Sequence, residues 1–217
     1  MNKSLYSLML MDDVVEQIDR MAMREGTNRS NLVNQILAEY VSMMTPEKRI
    51  DSIFQSVERL IAESNDLVPF FTPHQQTMSL KSSLQYKYRP TIKYVVSLFL
   101  EPGRSIGELN VNFRTQSEGL LNEIADFFRL WKRLEDAYIS HLYEPGALRY
   151  GLHDGKLLRT IAVPTDRDYT NEELGTAISE YIKMFDELMK GYLAGNLDAH
   201  QLEARYVSYL NRGIGLI

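Results

Sequence analysis

The chain has 217 residues, a formal net charge of −5, 44% hydrophobic residues and no cysteine. That length suits one sizeable domain or two smaller ones. The missing cysteines exclude a disulfide framework and thiol chemistry, and the mildly acidic balance argues against a protein that coats nucleic acid non-specifically.

Leu5-Tyr6-Ser7-Leu8-Met9-Leu10 alternates, which predicts a strand with Tyr6, Leu8 and Leu10 on one face and Lys3, Leu5, Ser7 and Met9 on the other. Asp13 and Glu16 stand at capping-box spacing beside Asp12, opening a helix with apolar positions Val14, Val15, Ile18, Met21 and Ala22. Gly26 is placed to stop it, and Asn28 to cap a second helix that buries Leu32, Val33, Ile36, Leu37 and Tyr40. A single strand cannot satisfy its own backbone, and two helices bury too little surface to stand alone. Residues 3–44 therefore need a partner, and a second copy would complete their core.

These residues carry a resemblance. The strand, the Asp12-Asp13 start, Ile18-Asp19-Arg20-Met21-Ala22, the run from Gly26 through Asn28, Arg29 and Ser30 to Val33, and the closing Ala38-Glu39-Tyr40 resemble a ribbon-helix-helix domain of the MetJ/Arc type. The resemblance implies an intertwined homodimer, with tetramers left open, whose two strands pair as a ribbon in the DNA major groove. It further implies that Leu5, Ser7 and Met9 face the bases with Lys3 at the ribbon's edge, and that the N–H groups of Asn28, Arg29 and Ser30 hold a phosphate. Leu5 and Met9 offer only apolar contact, for example to a thymine methyl. Residues 1–45 carry four basic side chains (Lys3, Arg20, Arg24, Arg29) against six acidic ones (Asp12, Asp13, Glu16, Asp19, Glu25, Glu39), so binding should lose less with salt than for a basic reader. Operator binding is one reading; a module that only dimerises, in a protein-interaction or antitoxin-like protein, is the other.

Thr45 and Pro46 open a further helix with Ile50, Ile53, Phe54, Val57, Leu60 and Ile61 on one stripe, expected to link the dimer core to the rest of the chain. Residues 66–80 read mostly as loop, anchored by Phe70 and Phe71. From Ser82 the pattern has period two, with Tyr86, Tyr88, Ile92, Tyr94, Val96 and Leu98 on one parity, then a turn at Glu101-Pro102-Gly103 and a partner strand through Leu109, Val111 and Phe113. Thr115 and Glu118 suggest a capping box before a helix through Leu120, Ile124, Phe127, Trp131, Leu134 and Tyr138. The order then returns: Leu148, Tyr150 and Leu152 alternate, Asp154-Gly155 signals a tight turn, Leu157–Val163 reads as a strand, and Thr170/Glu173 box a helix through Ile178, Tyr181, Phe185 and Met189. Asp198 and Gln201 open the last helix. The fold class is thus α+β: residues 1–45 a ribbon-helix-helix, 46–65 a linking helix, and 66–217 an α+β domain for oligomerisation or ligand sensing, with two strand-strand-helix units.

Chemistry leaves few traces. His74, His141, His153 and His200 lack the spacing of a zinc helix, although some proteins of the resembling family sense nickel, and no nucleophile elbow or phosphate loop occurs. The pairs Glu135-Asp136 and Asp186-Glu187 read as solvated helix faces, so neither an enzyme nor a cofactor is expected. Residues 80–114 are basic and rich in tyrosine: Lys87, Arg89 and Lys93 form a candidate anion or nucleic-acid surface, set against the simpler reading in which tyrosines fill the core and lysines face water. With no apolar run near the ~18 residues of a membrane span and no signal-peptide pattern, the expectation is a cytoplasmic, dimeric repressor with an unidentified effector and no membrane partner.

Overall fold

The computed structural model of the protein describes residues 5–41, 43–62, 66–70, 76–85, 89–153 and 155–213. Lys3, Phe71, His74, Tyr86, Lys87, Tyr88 and Asp154 lie outside them. Period-two patterning yields strands β1 (Val68–Phe70), β2 (Thr77–Ser83), β3 (Thr91–Leu98), β4 (Gly107–Arg114), β5 (Tyr150–His153) and β6 (Lys156–Ile161). They form one antiparallel sheet in the order β1-β2-β3-β4-β6-β5, so the two strand-strand-helix units share a single sheet with β4 and β6 adjacent. Register aligns Leu80, Tyr94, Val111 and Leu157 in one row, and all four are buried. The neighbouring row, on the opposite face, is Lys81, Lys93, Asn112 and Lys156.

Helices α1 (Asp12–Arg24) and α2 (Arg29–Tyr40) precede the sheet, and α3 (Pro46–Ile61), α4 (Glu118–Tyr138), α5 (Asn171–Leu193) and α6 (Ala199–Asn211) share a core with its apolar face. The α+β expectation is met. Trp131 lies at the centre, its ring 4.8 Å from Phe185 and 5.2 Å from Tyr206, both edge-on as aromatic quadrupoles prefer. Burial all round marks α5 as the central helix, touching α3, α4 and α6. Helix α3 is more than a connector: Ile50, Ile53, Val57 and Ile61 belong to this core. Its approach to α5 is close enough that a Cβ on Gly175 would stand 2.5 Å from Ser56 Cβ and 2.9 Å from the Ile53 carbonyl oxygen. Gly175→Ala is therefore expected to force the helices apart and cost about 1–3 kcal/mol, read as a lower urea midpoint with an unchanged slope.

Several local expectations are corrected. The ribbon strand expected at Leu5–Leu10 is not among these corrections, since it would pair with a second copy; within one chain the segment pairs with no described strand. Asp13 and Glu16 form no capping box: α1 starts at Asp12 after Met11, which makes no side-chain cap, and the two aspartates sit in the first turn against the helix dipole. Ser117, rather than Thr115, caps α4, while Thr115 Oγ1 accepts from the Ser117 N–H at 3.1 Å. Among the described residues of the 66–80 stretch, most are strand rather than loop. β1 occupies the sheet edge, where Pro69 needs no donor, and β2 begins at Thr77. Phe70 does not reach the core; it is 44% exposed, with Lys81 Nζ 3.6 Å from its ring centre. The Thr170/Glu173 and Asp198/Gln201 boxes both form, and Asn28 and Thr45 cap α2 and α3.

Candidate nucleic-acid interface

In the N-terminal segment, Gly26 takes φ +65° and turns the chain between α1 and α2, a conformation that favours glycine. Asn28 Oδ1 accepts from the Asn31 N–H at 3.0 Å, and the Leu32 N–H bonds the Asn28 carbonyl. Among the described residues, the N–H groups of Arg29 and Ser30 remain without an acceptor at a helix N-terminus, where the dipole favours an anion. The Arg29 side chain is engaged instead: Nε donates to Asp19 Oδ1 at 2.7 Å and Nη2 to Oδ2 at 2.5 Å. That fork holds the Asp19 carboxyl below its ordinary pKa and the Arg29 guanidinium above its own. It also ties α1 to the first residue of α2.

The base-facing candidates Leu5, Ser7 and Met9 are all exposed, Leu5 at 99% and Met9 at 102%, and Lys3 lies outside the described residues. Of the eighteen large hydrophobic side chains exposed among the described residues, fourteen fall between Leu5 and Met44. Only Ala22 and Leu32 are buried in α1 and α2, and neither belongs to the apolar clusters of the rest of the chain.

The second candidate surface divides. Arg89 is exposed in the turn before β3 at φ +41°, Lys93 is half-buried on the open face of the sheet, and Lys87 lies outside the described residues. Tyr94 fills the core, as the simpler reading expected, and its hydroxyl donates to Asp186 Oδ1 at 2.7 Å.

That contact overturns the reading of the acidic pairs. Asp136 and Glu187 face solvent, but Asp186 is 3% exposed and Glu135 is fully buried. Each pair straddles the rim of its helix, one carboxylate turned inward because neighbours on a helix point in different directions. Asp186 also takes Ser82 Oγ at 3.2 Å and Lys190 Nζ at 2.6 Å. Glu135 Oε2 accepts from Arg159 Nε at 2.7 Å and the Tyr150 hydroxyl at 2.5 Å, while Oε1 accepts from the Tyr181 hydroxyl at 2.7 Å. Tyr181 in turn accepts from Trp131 Nε1 at 2.9 Å. Burial opposes the Arg159 charge most strongly, yet Glu135 together with Tyr181, Tyr150 and Tyr143 outweighs it and raises its pKa above the usual value. Burial likewise pushes the Tyr143 hydroxyl to about 12, against the pull of Arg159. Arg159 Nη2 and the hydroxyls of Tyr143 and Tyr206 have no partner among the described residues. Sequence spacing could not reveal this centre, because its members come from α4, β5, β6, α5 and α6. An arginine on the buried parity of β6, facing Leu109 across the strands, was the available signal.

At the junction of α2, α3 and the β3–β4 turn lies a cavity of about 360 Å³, walled largely by Leu37, Val41, Met43, Met44 and Leu100, with Glu47 and Glu101 also in its lining. Among the described residues no cluster of His, Asp or Glu could hold a metal, and no helix is long and apolar enough to cross a membrane. Compared with protein-family models, curated proteins and solved structures, the chain has no match in any of the three.

Proposed function

We propose that the chain is a dimeric ribbon-helix-helix transcriptional regulator that binds operator DNA, with its α+β domain serving assembly or regulation. The observation that carries this reading is the uncovered apolar surface of residues 5–44 beside a well-packed remainder. Burying a large aliphatic or aromatic side chain is worth roughly 1.5–3 kcal/mol, so a surface of this kind calls for a partner. Pairing Leu5–Leu10 with the same segment of a second copy satisfies the strand backbone and covers Tyr6, Leu8 and Leu10 together with the α2 residues Ile36, Leu37 and Tyr40. Leu5, Ser7 and Met9 then face outward. The free N–H groups of Arg29 and Ser30 supply a phosphate clamp on each side of the ribbon.

Sedimentation of the full chain should give a species of twice its 25.1 kDa mass. In fluorescence anisotropy with DNA from upstream of its own coding region, saturable binding should survive competitor DNA and be lost in the double variant Ser7→Ala, Arg29→Ala. Binding that this variant leaves untouched would assign the ribbon to dimerisation alone, the reading that the acidic balance of residues 1–45 favours.

A further inference from the structure

Among the described residues the helices cover one side of the sheet, and the opposite face carries a pattern that sheet stability does not explain. Lys81 on β2 stands opposite Lys93 on β3, Lys93 opposite Asn112 on β4, and Asn112 opposite Lys156 on β6. Like charges directly opposite one another destabilise a sheet, and lysine and asparagine are both depleted in strands. Lysines often protect sheet edges, but the edges here are β1 and β5, whereas the row runs through interior strands. None of the three lysines has an ion pair among the described residues; Lys81 rests on the Phe70 ring. Glu108 is the sole acid on this face among the described strand residues, four positions from Asn112 along β4 and so about 13 Å away. The next row adds Ser83, Thr91 and Arg114, a fourth cation with two hydroxyl donors.

The geometry points to a phosphate-backbone contact: this face binds double-stranded DNA through Lys81, Lys93 and Lys156, with Asn112 and Thr91 as neutral donors. With strands about 4.8 Å apart, the three lysines span about 14 Å in a straight row, and duplex DNA presents one charge per ~1.7 Å of its axis. Duplex rather than single strand fits, because the rings on the face among the described residues, Phe70 on β1 and the His153 imidazole on β5, stand at opposite edges of the sheet, where a single strand would call for a series of stacking rings. Lysine, asparagine and threonine are the side chains that meet phosphate oxygens, and they position a duplex without reading its sequence. This contact is independent of the ribbon and adds affinity that the acidic N-terminal module cannot.

The test is anisotropy of the full chain on a random-sequence duplex across a salt series, with the variant Lys81→Gln, Lys93→Gln, Lys156→Gln. Three lost phosphate contacts should lower the slope of log affinity against log salt by about 2.7. Removing the Lys81–Lys93 repulsion should leave the urea midpoint equal or higher, which shows that the variant is folded, and Lys93→Gln alone should lower the slope by about 0.9. An unchanged slope, no binding of wild type to any duplex, tighter binding to single strands, or binding to polyglutamate instead of DNA would each overturn the proposal. The ribbon reading fails separately: if Ser7→Ala, Arg29→Ala keeps the operator preference while the lysine variant loses its slope, the sheet face stands and the ribbon does not.

Discussion

Replacing Glu135 by alanine is expected to destabilise the protein by about 3–5 kcal/mol, a large share of the 5–15 kcal/mol that holds a typical domain together. The cause is the set of groups left behind. Arg159 stays in the core with its Nε unpaired and its Nη2 already without a partner, while the hydroxyls of Tyr150 and Tyr181 lose their acceptor. A desolvated cation with nothing to neutralise it costs far more than the net worth of the pair, because the intact pair had to offset its own desolvation. The double variant Glu135→Leu, Arg159→Met removes both charges and should recover most of the loss. Tyr206→Phe, which deletes a hydroxyl that has no partner, should lie near wild type. Urea unfolding of the four proteins separates the cases: a Glu135→Ala midpoint close to wild type would mean that the centre is hydrated in solution and the pair is worth little.

Periodicity made the strands and helices of residues 91–211 readable, because an interior residue must repeat at 2.0 or 3.6 and Ile92, Tyr94, Val96 and Leu98 or Leu120, Ile124, Phe127 and Trp131 do so cleanly. Capping was readable where the side chain had no rival, as at Thr170 and Asp198. It misled at Thr115, because Ser117, two residues on, offers the same oxygen closer to the helix. β1 was hidden by Pro69, a residue that argues against a strand unless the strand is an edge, and edge status is a property of the whole sheet.

The same limit governs the functional residues. Lys93 was visible as one cation in a basic stretch, but its row was not, since Lys81 and Lys156 become its neighbours only through the register of four strands. Glu135 and Asp186 read as surface acids because each adjoins a second acid, and no one-dimensional pattern says which of two adjacent helical residues turns inward. The N-terminal module shows the converse. Its resemblance rests on local spacing alone, and the structure of one chain leaves its apolar face exposed.

Alkali is expected to unfold the protein cooperatively, over a narrow range between about pH 11 and 12. Tyr94, Tyr143, Tyr150, Tyr181 and Tyr206 all have hydroxyls whose pKa is raised above the ordinary 10.0, in each case first by burial. Asp186 adds to the effect at Tyr94, and Glu135 to that at the other four, where Arg159 opposes it. In the folded chain these groups keep their protons as the pH passes 10; in the unfolded chain they release them. The stability they confer is therefore fully present below pH 10 and is lost as the pH rises from there, by about 1.4 kcal/mol per unit for each tyrosine until its own folded pKa is reached. Five acting together remove about 7 kcal/mol per unit, enough to consume the whole stability of an ordinary domain within roughly one to two units. Tyrosinate absorbance should accordingly show a steep step coincident with loss of the circular dichroism signal. Tyr206→Phe withdraws one proton from the balance and should move that step to higher pH. Smooth titration of every tyrosine near pH 10 with the fold intact would mean that the hydroxyls around Arg159 are open to water, and the stability assigned to the Glu135 pair would have to be lowered with them.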